Sequence, residues 1–147
     1  MGACETTRLD ELRSVVKKAT AERPAFELAF EGLGAFPSWT RPRSLWVGLG
    51  EGASALTVLA GRLRALLPGP KVFPNAERDR EFKAHLTIGR IDGGRALKEL
   101  QAKAEELGGP GKLVLPKVKV ERLALYESIP SPGGSTYSEL FASPFRT

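Results

Sequence analysis

Residues 82–90 constrain the fold more than any other part of this sequence, because polar and apolar side chains alternate along them. A period of two is typical of a β-strand with one apolar face. On such a strand His85 and Thr87 share one face, and Leu86 and Ile88 share the other. The stretch therefore predicts a strand that presents an imidazole and a hydroxyl side by side.

These two side chains suit the chemistry of a phosphate. His85 is the single histidine among 147 residues, and imidazole is the side chain best suited to exchange protons near neutral pH. The Thr87 hydroxyl can hydrogen-bond a phosphate oxygen without adding charge, and Lys83 shares the face of both. We take His85 and Thr87 as candidate catalytic residues and Lys83 as a candidate substrate-binding residue. The alternative is that His85 is a half-buried strand residue with no chemical role.

Helical and strand patterns alternate along the rest of the chain. Apolar residues recur at helical spacing in three stretches, 9–20, 54–67 and 96–107. Strand-like alternation occurs in four others, 26–30, 44–49, 112–127 and 136–141, and glycines at 32 and 34 interrupt the first of them. Near Glu121 and Arg122 the alternation changes phase, which predicts a bulge. The order predicts an α+β fold with helices packed on a mainly antiparallel sheet.

Trp46, in the predicted strand 44–49, has two interpretations. An aromatic side chain in a short strand is commonly part of the core. If Trp46 faces a cleft instead, a nucleobase can stack on its indole. We keep Trp46 as a candidate substrate-binding residue.

Composition fits one globular domain over residues 1–147, with 41% hydrophobic and 27% charged residues. No apolar run approaches the roughly 20 residues of a membrane span, and the first ten residues lack a signal-peptide pattern. We therefore expect no membrane association and a cytoplasmic location. One cysteine and one histidine offer neither a disulfide nor a zinc cluster, so we expect no metal and no cofactor.

The charge balance favours a polyanionic partner. Lysine and arginine number 22 against 17 acidic residues, which gives a net charge of +5. Basic proteins attract nucleic acids through the phosphate backbone. Charge alone does not separate an RNA-binding protein from other basic proteins, and it leaves the oligomeric state open.

The pattern Phe-Lys-x-His-Leu-Thr-x-x-Arg over residues 82–90 resembles the second signature of the two-histidine phosphoesterases. More closely, the chain resembles the bacterial and archaeal RNA 2',3'-cyclic phosphodiesterases, also called 2'-5' RNA ligases. The resemblance extends from about residue 7 to the end. Further segments follow in that family's order: residues 26–28, 32–37, 43–48 and 125–128, and Tyr137.

This resemblance implies a bilobal fold, with one His-x-Thr/Ser strand from each lobe on the floor of a cleft. It implies metal-free opening of a cyclic phosphate at an RNA end or nucleotide to a 2'-phosphate. One histidine activates water and the other protonates the departing ribose oxygen. Thr87 and Arg90 then hold the charge of the phosphate, with Tyr126 as a further substrate-binding neighbour.

The sequence departs from the family in one respect, because only one His-x-Thr motif is present. The resemblance therefore predicts an incomplete first lobe, a chain shortened at its N-terminus relative to the family, and a bare sheet edge. It also predicts weak turnover or none. Three alternatives remain: a competent phosphodiesterase whose reading frame starts upstream, an inactive member that binds RNA ends or a protein, and an α+β domain related only by ancestry.

Strand alternation and the family resemblance predict different faces for Arg90. Strict alternation places Arg90 on the face of Leu86 and Ile88, whereas the resemblance assigns it to the substrate phosphate. A bulge or twist at Gly89 would resolve the conflict, because it re-aims the side chain that follows.

Overall fold

The computed structural model describes residues 6–67, 82–91, 98–99, 102–103, 106 and 113–146. Along this part of the chain two helices and seven strands have defined bounds. In order they are α1 Thr6–Thr20, β1 Phe26–Leu28, β2 Phe30–Phe36, β3 Ser44–Leu49, α2 Ala53–Leu66, β4 His85–Arg90, β5 Val118–Val120, β6 Arg122–Ser131 and β7 Gly134–Pro144. The α+β prediction is confirmed. The helix predicted at 96–107 lies mostly outside the described residues, although positions 98, 99, 102, 103 and 106 are helical.

The described residues form two compact units, each assembled from separate stretches of the chain. The first takes its described residues from 6–26, 58–67 and 120–146, and the second from 27–57, 82–91, 98–99, 102–103, 106 and 113–119. The expected single domain over residues 1–147 stays a prediction.

In the first unit, α1 packs on the antiparallel hairpin of β6 and β7. The buried side of α1 includes Val15, Val16 and Ala19, as its helical spacing predicts. At the end of this helix the Thr20 and Ser143 hydroxyls lie 2.7 Å apart in a hydrogen bond. These contacts hold the hairpin against α1 near the C-terminal end of β7.

In the second unit, β2, β3 and β4 form an antiparallel sheet in that order. One face of β3 is buried, and Val47 at its centre is only 1% exposed. The predicted strand 26–30 is divided at Ala29, because β1 ends at Leu28 and β2 begins at Phe30. The glycines expected to interrupt it lie inside β2. Gly32 instead adopts a φ of 70° at a register shift between Glu31 and Leu33, so β2 continues through a bulge as far as Phe36.

The phase change predicted near Glu121 marks a break between two strands. β5 pairs with β1, whereas β6 pairs with β7. Glu121 lies between them and accepts a backbone hydrogen bond from Phe145 at 2.8 Å. The two apolar phases therefore belong to two different sheets.

No helix in the described part of the chain is both long and apolar enough to cross a membrane.

Candidate active site

The register of the second unit's sheet brings His85, Thr87 and Arg90 to one face. Residues directly opposite each other in an antiparallel pair share a face, and alternate residues along one strand do so too. The facing pairs between β3 and β4 are Gly48 with His85, Trp46 with Thr87, and Ser44 with Arg90. The three β3 residues alternate along the strand, so their three partners on β4 lie together.

A bulge at Ile88 produces this arrangement. Leu45 pairs with Gly89 and Trp46 pairs with Thr87, which leaves Ile88 as an extra residue on β4. The extra residue reverses the alternation after it, so Arg90 lies on the face of Thr87. The bulge was expected at Gly89, but the extra residue is the one before it. Glycine is not what makes the bulge, because a Cβ at Gly89 would meet no atom within 4 Å.

His85 is anchored through one nitrogen of its ring. Its Nδ1 lies 2.6 Å from the carbonyl oxygen of Lys83. A carbonyl oxygen can only accept, so Nδ1 must donate and carry the hydrogen. In the neutral ring this leaves a lone pair on Nε2. His85 is exposed, so the residue is accessible as a base.

Trp46 lies on the face of His85 and not on the buried face of Leu45 and Val47. Its ring centroid is 6.0 Å from that of His85, with the planes at 65°. The indole covers Gly34 so closely that a Cβ there would come within 2.0 Å of Trp46 Cζ2. Trp46 therefore lies on the same sheet face as His85, and its role in stacking a nucleobase stays a prediction.

Lys83 precedes β4 and is exposed. What the structure shows of it at this face is its backbone, since its carbonyl oxygen orients the imidazole. Its role as a phosphate-binding cation stays a prediction.

Tyr126 lies on β6, in the first unit. Its hydroxyl donates to Glu139 at 2.8 Å, and Arg122 donates to the other carboxylate oxygen at 2.6 Å. The hydrogen bond to Glu139 raises the pKa of Tyr126, and the hydrogen bond from Arg122 lowers the pKa of Glu139. Tyr126 thus belongs to a hydrogen-bonded trio of its own unit, and its contact with substrate stays a prediction.

Two residues of this face escaped sequence reasoning. Phe36 reaches the His85 ring with a centroid distance of 5.2 Å, and Gly34 provides the space under Trp46. Both fall in the segment 32–37 that carries the resemblance, which was the available signal. Across the described residues, no group of three or more histidine, cysteine, aspartate or glutamate side chains is arranged to hold a metal ion.

Comparison with known sequences identifies relatives of this chain. The family described as the 2'-5' RNA ligase superfamily matches residues 1–129. A protein named RNA 2',3'-cyclic phosphodiesterase from Aeropyrum pernix is 34% identical over 116 residues, which are 79% of this chain and 62% of that protein. One of the same name from Archaeoglobus fulgidus is 34% identical over 118 residues, or 78% and 60% of the two chains. This chain therefore spans about three fifths of the length of these curated relatives.

Solved structures show the same fold. The protein TT0787 of Thermus thermophilus superposes with a TM-score of 0.73 at 22% identity, over 99% of this chain and 74% of that one. Escherichia coli LigT complexed with 3'-AMP superposes with a TM-score of 0.60 at 19% identity, over 94% and 70%. These superpositions show that the chain has the α+β fold of those two proteins.

Within that fold class the sequence match is specific, and the chain belongs to the 2'-5' RNA ligase superfamily.

Proposed function

We propose that this chain carries the His85 half of an RNA 2',3'-cyclic phosphodiesterase site, which opens the cyclic phosphate to a 2'-phosphate end. The observation that carries the proposal is the placing of His85, Thr87 and Arg90 on one sheet face by the Ile88 bulge. Relatives named for this activity support it. The substrates are RNA ends or nucleotides that bear a 2',3'-cyclic phosphate, and a cytoplasmic location suits them.

Each side chain has a role that its chemistry allows. Water attacks phosphorus and gives up a proton, the bond from phosphorus to the ribose 3'-oxygen breaks, and that oxygen takes up a proton. His85 exchanges one of these protons through Nε2, the nitrogen that the Lys83 carbonyl leaves free. Thr87 donates to a non-bridging oxygen, and Arg90 offers charge-assisted hydrogen bonds to the others. The product is a 2'-phosphate monoester.

One imidazole performs only one of the two proton transfers. The 147 residues contain a single histidine, and acid and base act on opposite sides of the phosphorus. When these residues act alone, water must therefore serve as the second proton-transfer group. We expect turnover well below about 1 per second, the low end of ordinary enzymes.

The test is hydrolysis of an RNA oligonucleotide that ends in a 2',3'-cyclic phosphate, with opening of the ring detected by mass and the 2'-phosphate end recognised by its resistance to a phosphatase specific for 3'-phosphates. We expect slow release of a 2'-phosphate, loss of that activity in His85→Ala, and no change with EDTA. A 3'-phosphate product, or activity that survives His85→Ala, would contradict the proposal. Tight binding of the end without any hydrolysis would instead favour an RNA-end-binding protein, an alternative that the single histidine keeps open.

A further inference from the structure

Three rings form one cluster on the face of His85. Phe36 lies 5.2 Å from His85 with the planes at 76°, and Trp46 lies 6.0 Å from it at 65°. The Phe36 and Trp46 rings are themselves 5.3 Å apart. Edge-to-face contacts at such distances are favourable and directional. The proton transfer proposed for His85 uses neither aromatic ring, so their place beside it calls for a separate explanation.

Phe36 is not an adjacent neighbour of His85 in the sheet. Phe36 pairs with Ser44 at one end of the site, whereas His85 pairs with Gly48, four residues further along β3. The two strands also lie on opposite sides of β3. The Phe36 side chain therefore reaches diagonally across the face to contact the imidazole.

The glycine at position 34 allows this packing. Gly34 lies two residues before Phe36 on β2 and faces Trp46 on β3. The indole occupies the space that a side chain at Gly34 would take. Because the indole packs directly against the backbone at Gly34, Phe36 can contact both Trp46 and His85.

We propose that Phe36, supported by Trp46, is a positioning residue that fixes the orientation of the His85 ring. An exposed histidine on a strand can rotate its ring by a half turn, which exchanges the places of Nδ1 and Cδ2. Rotation would break the hydrogen bond to the Lys83 carbonyl and remove the reason for Nε2 to stay unprotonated. The edge-to-face contacts oppose that rotation, so Phe36 and the Lys83 carbonyl select one ring state together.

The catalytic consequence rests on the proposed function, whereas the orientation of the ring does not. Nitrogen NMR observes the ring orientation directly, without a measurement of turnover. His85 is the one histidine in the sequence, so its ring signals need no assignment. Long-range proton–nitrogen spectra of neutral imidazole, recorded above pH 8, report which nitrogen carries the hydrogen. In the wild-type chain we expect the Nδ1–H form to dominate.

The informative variant is Phe36→Leu, with Phe36→Tyr as the conservative rescue. In Phe36→Leu we expect the Nδ1–H fraction to fall and the ring-current shifts of the imidazole to shrink. Turnover of the cyclic phosphate should drop about tenfold in kcat with little change in KM, because fewer molecules hold the competent ring state. Phe36→Tyr should restore both readouts. Phe26→Leu is the matched control, since Phe26 is a half-buried strand residue whose edge-to-face partner is Phe145, at 5.7 Å.

An imidazole whose tautomer and ring-current shifts are the same in wild type and in folded Phe36→Leu would overturn the inference. If Phe36→Leu does not fold, Phe36→Met removes the ring and keeps a long apolar side chain; unchanged imidazole signals there would overturn the inference equally. Loss of the Nδ1–H form in the variants of a chain that shows no turnover would support the positioning role and count against the proposed function alone.

Discussion

The tautomer of His85 depends on a backbone contact as well as on the strand that carries the residue. β4 places the imidazole on the face of Thr87. The backbone carbonyl of Lys83 accepts a hydrogen bond from Nδ1 and leaves Nε2 free. The path of residues 82–84, before β4 begins, therefore decides which ring nitrogen can exchange a proton.

Arg90 is the residue whose role is most readily tested. Because it shares the face of His85 and Thr87, Arg90→Ala should weaken binding of a nucleoside 2'-phosphate by roughly 10- to 100-fold, the range for losing a charge-assisted hydrogen bond. The measurement is a binding titration at 50 and 200 mM salt, in which the wild-type affinity falls as salt rises.

The control for that titration is Arg8→Ala, which removes the same charge from the exposed surface of α1. It should leave affinity close to wild type. Equal affinities for Arg90→Ala and wild type would remove Arg90 from the phosphate site.

Tyr126 gives a prediction about pH. The Glu139 hydrogen bond raises the pKa of Tyr126, so Glu139→Gln should lower it toward the ordinary value near 10. Because the folded pKa is raised, the hydrogen bond contributes fully to the free energy of unfolding below the pKa of the unfolded tyrosine. The contribution is lost as the pH rises through the folded pKa. Absorbance at 295 nm in a Tyr137→Phe background isolates Tyr126, because the sequence has two tyrosines. An unmoved titration midpoint in Glu139→Gln would show that the hydrogen bond does not persist in solution.

At the level of elements, the strand β4 was predictable and its bulge was only partly so. Alternation located β4, and the clash between alternation and resemblance at Arg90 required some irregularity. The extra residue is Ile88 and not Gly89 because a bulge belongs to the pairing of two strands. The bulge in β2 also depends on its pairing with β3. There Gly32 adopts a left-handed conformation, and the strand continues through it instead of ending.

The sheet face depends on one close approach that a substitution can test. In Gly34→Ala the new methyl would overlap the Trp46 ring, so the indole must move. We expect a loss of about 1–3 kcal/mol in the free energy of unfolding, typical of overpacking, with altered tryptophan fluorescence. Urea unfolding measures the first effect and emission spectra the second.

Gly61→Ala is the matched control on α2. A Cβ at Gly61 meets nothing within 4 Å, and alanine stabilises a helix interior by roughly 0.5–1 kcal/mol relative to glycine. The two substitutions should therefore change stability in opposite directions. A neutral or stabilising Gly34→Ala would show that Trp46 does not lie on Gly34.

For the whole molecule, fold class could be predicted but the assembly of units could not. The order of helices and strands indicated an α+β protein. Each unit, however, combines stretches distant in sequence. The alternation of polar and apolar residues predicts a strand but does not show which strand pairs with it. The phase change at Glu121 was visible, but only the structure shows that it separates β5, paired with β1, from β6, paired with β7.

The hairpin of β6 and β7 predicts self-association. Among the described residues each of these strands has one edge without a strand partner, and Ile129 and Tyr137 are 51% and 66% exposed. Exposed apolar edges recruit other chains. Sedimentation velocity should show oligomers that grow with concentration, and Ile129→Lys should reduce them.

Val58→Lys is the control for self-association, because Val58 is equally exposed, at 53%, but lies on a helix. It should leave the oligomers unchanged. A monomer at every concentration tested would mean that the hairpin edges are protected in solution.

We propose that His85, Thr87 and Arg90 form one phosphate site in which Nε2 of His85 faces the substrate. The most direct measurement is a titration of the nitrogen-15-labelled protein with a nucleoside 2'-phosphate, following the two ring nitrogens of its single histidine. We expect the Nε2 signal to shift saturably while the signal of Nδ1, held by the Lys83 carbonyl, moves little, and we expect Arg90→Ala to weaken the response. An Nε2 signal unchanged at millimolar ligand, or a larger shift at Nδ1, would contradict the proposal.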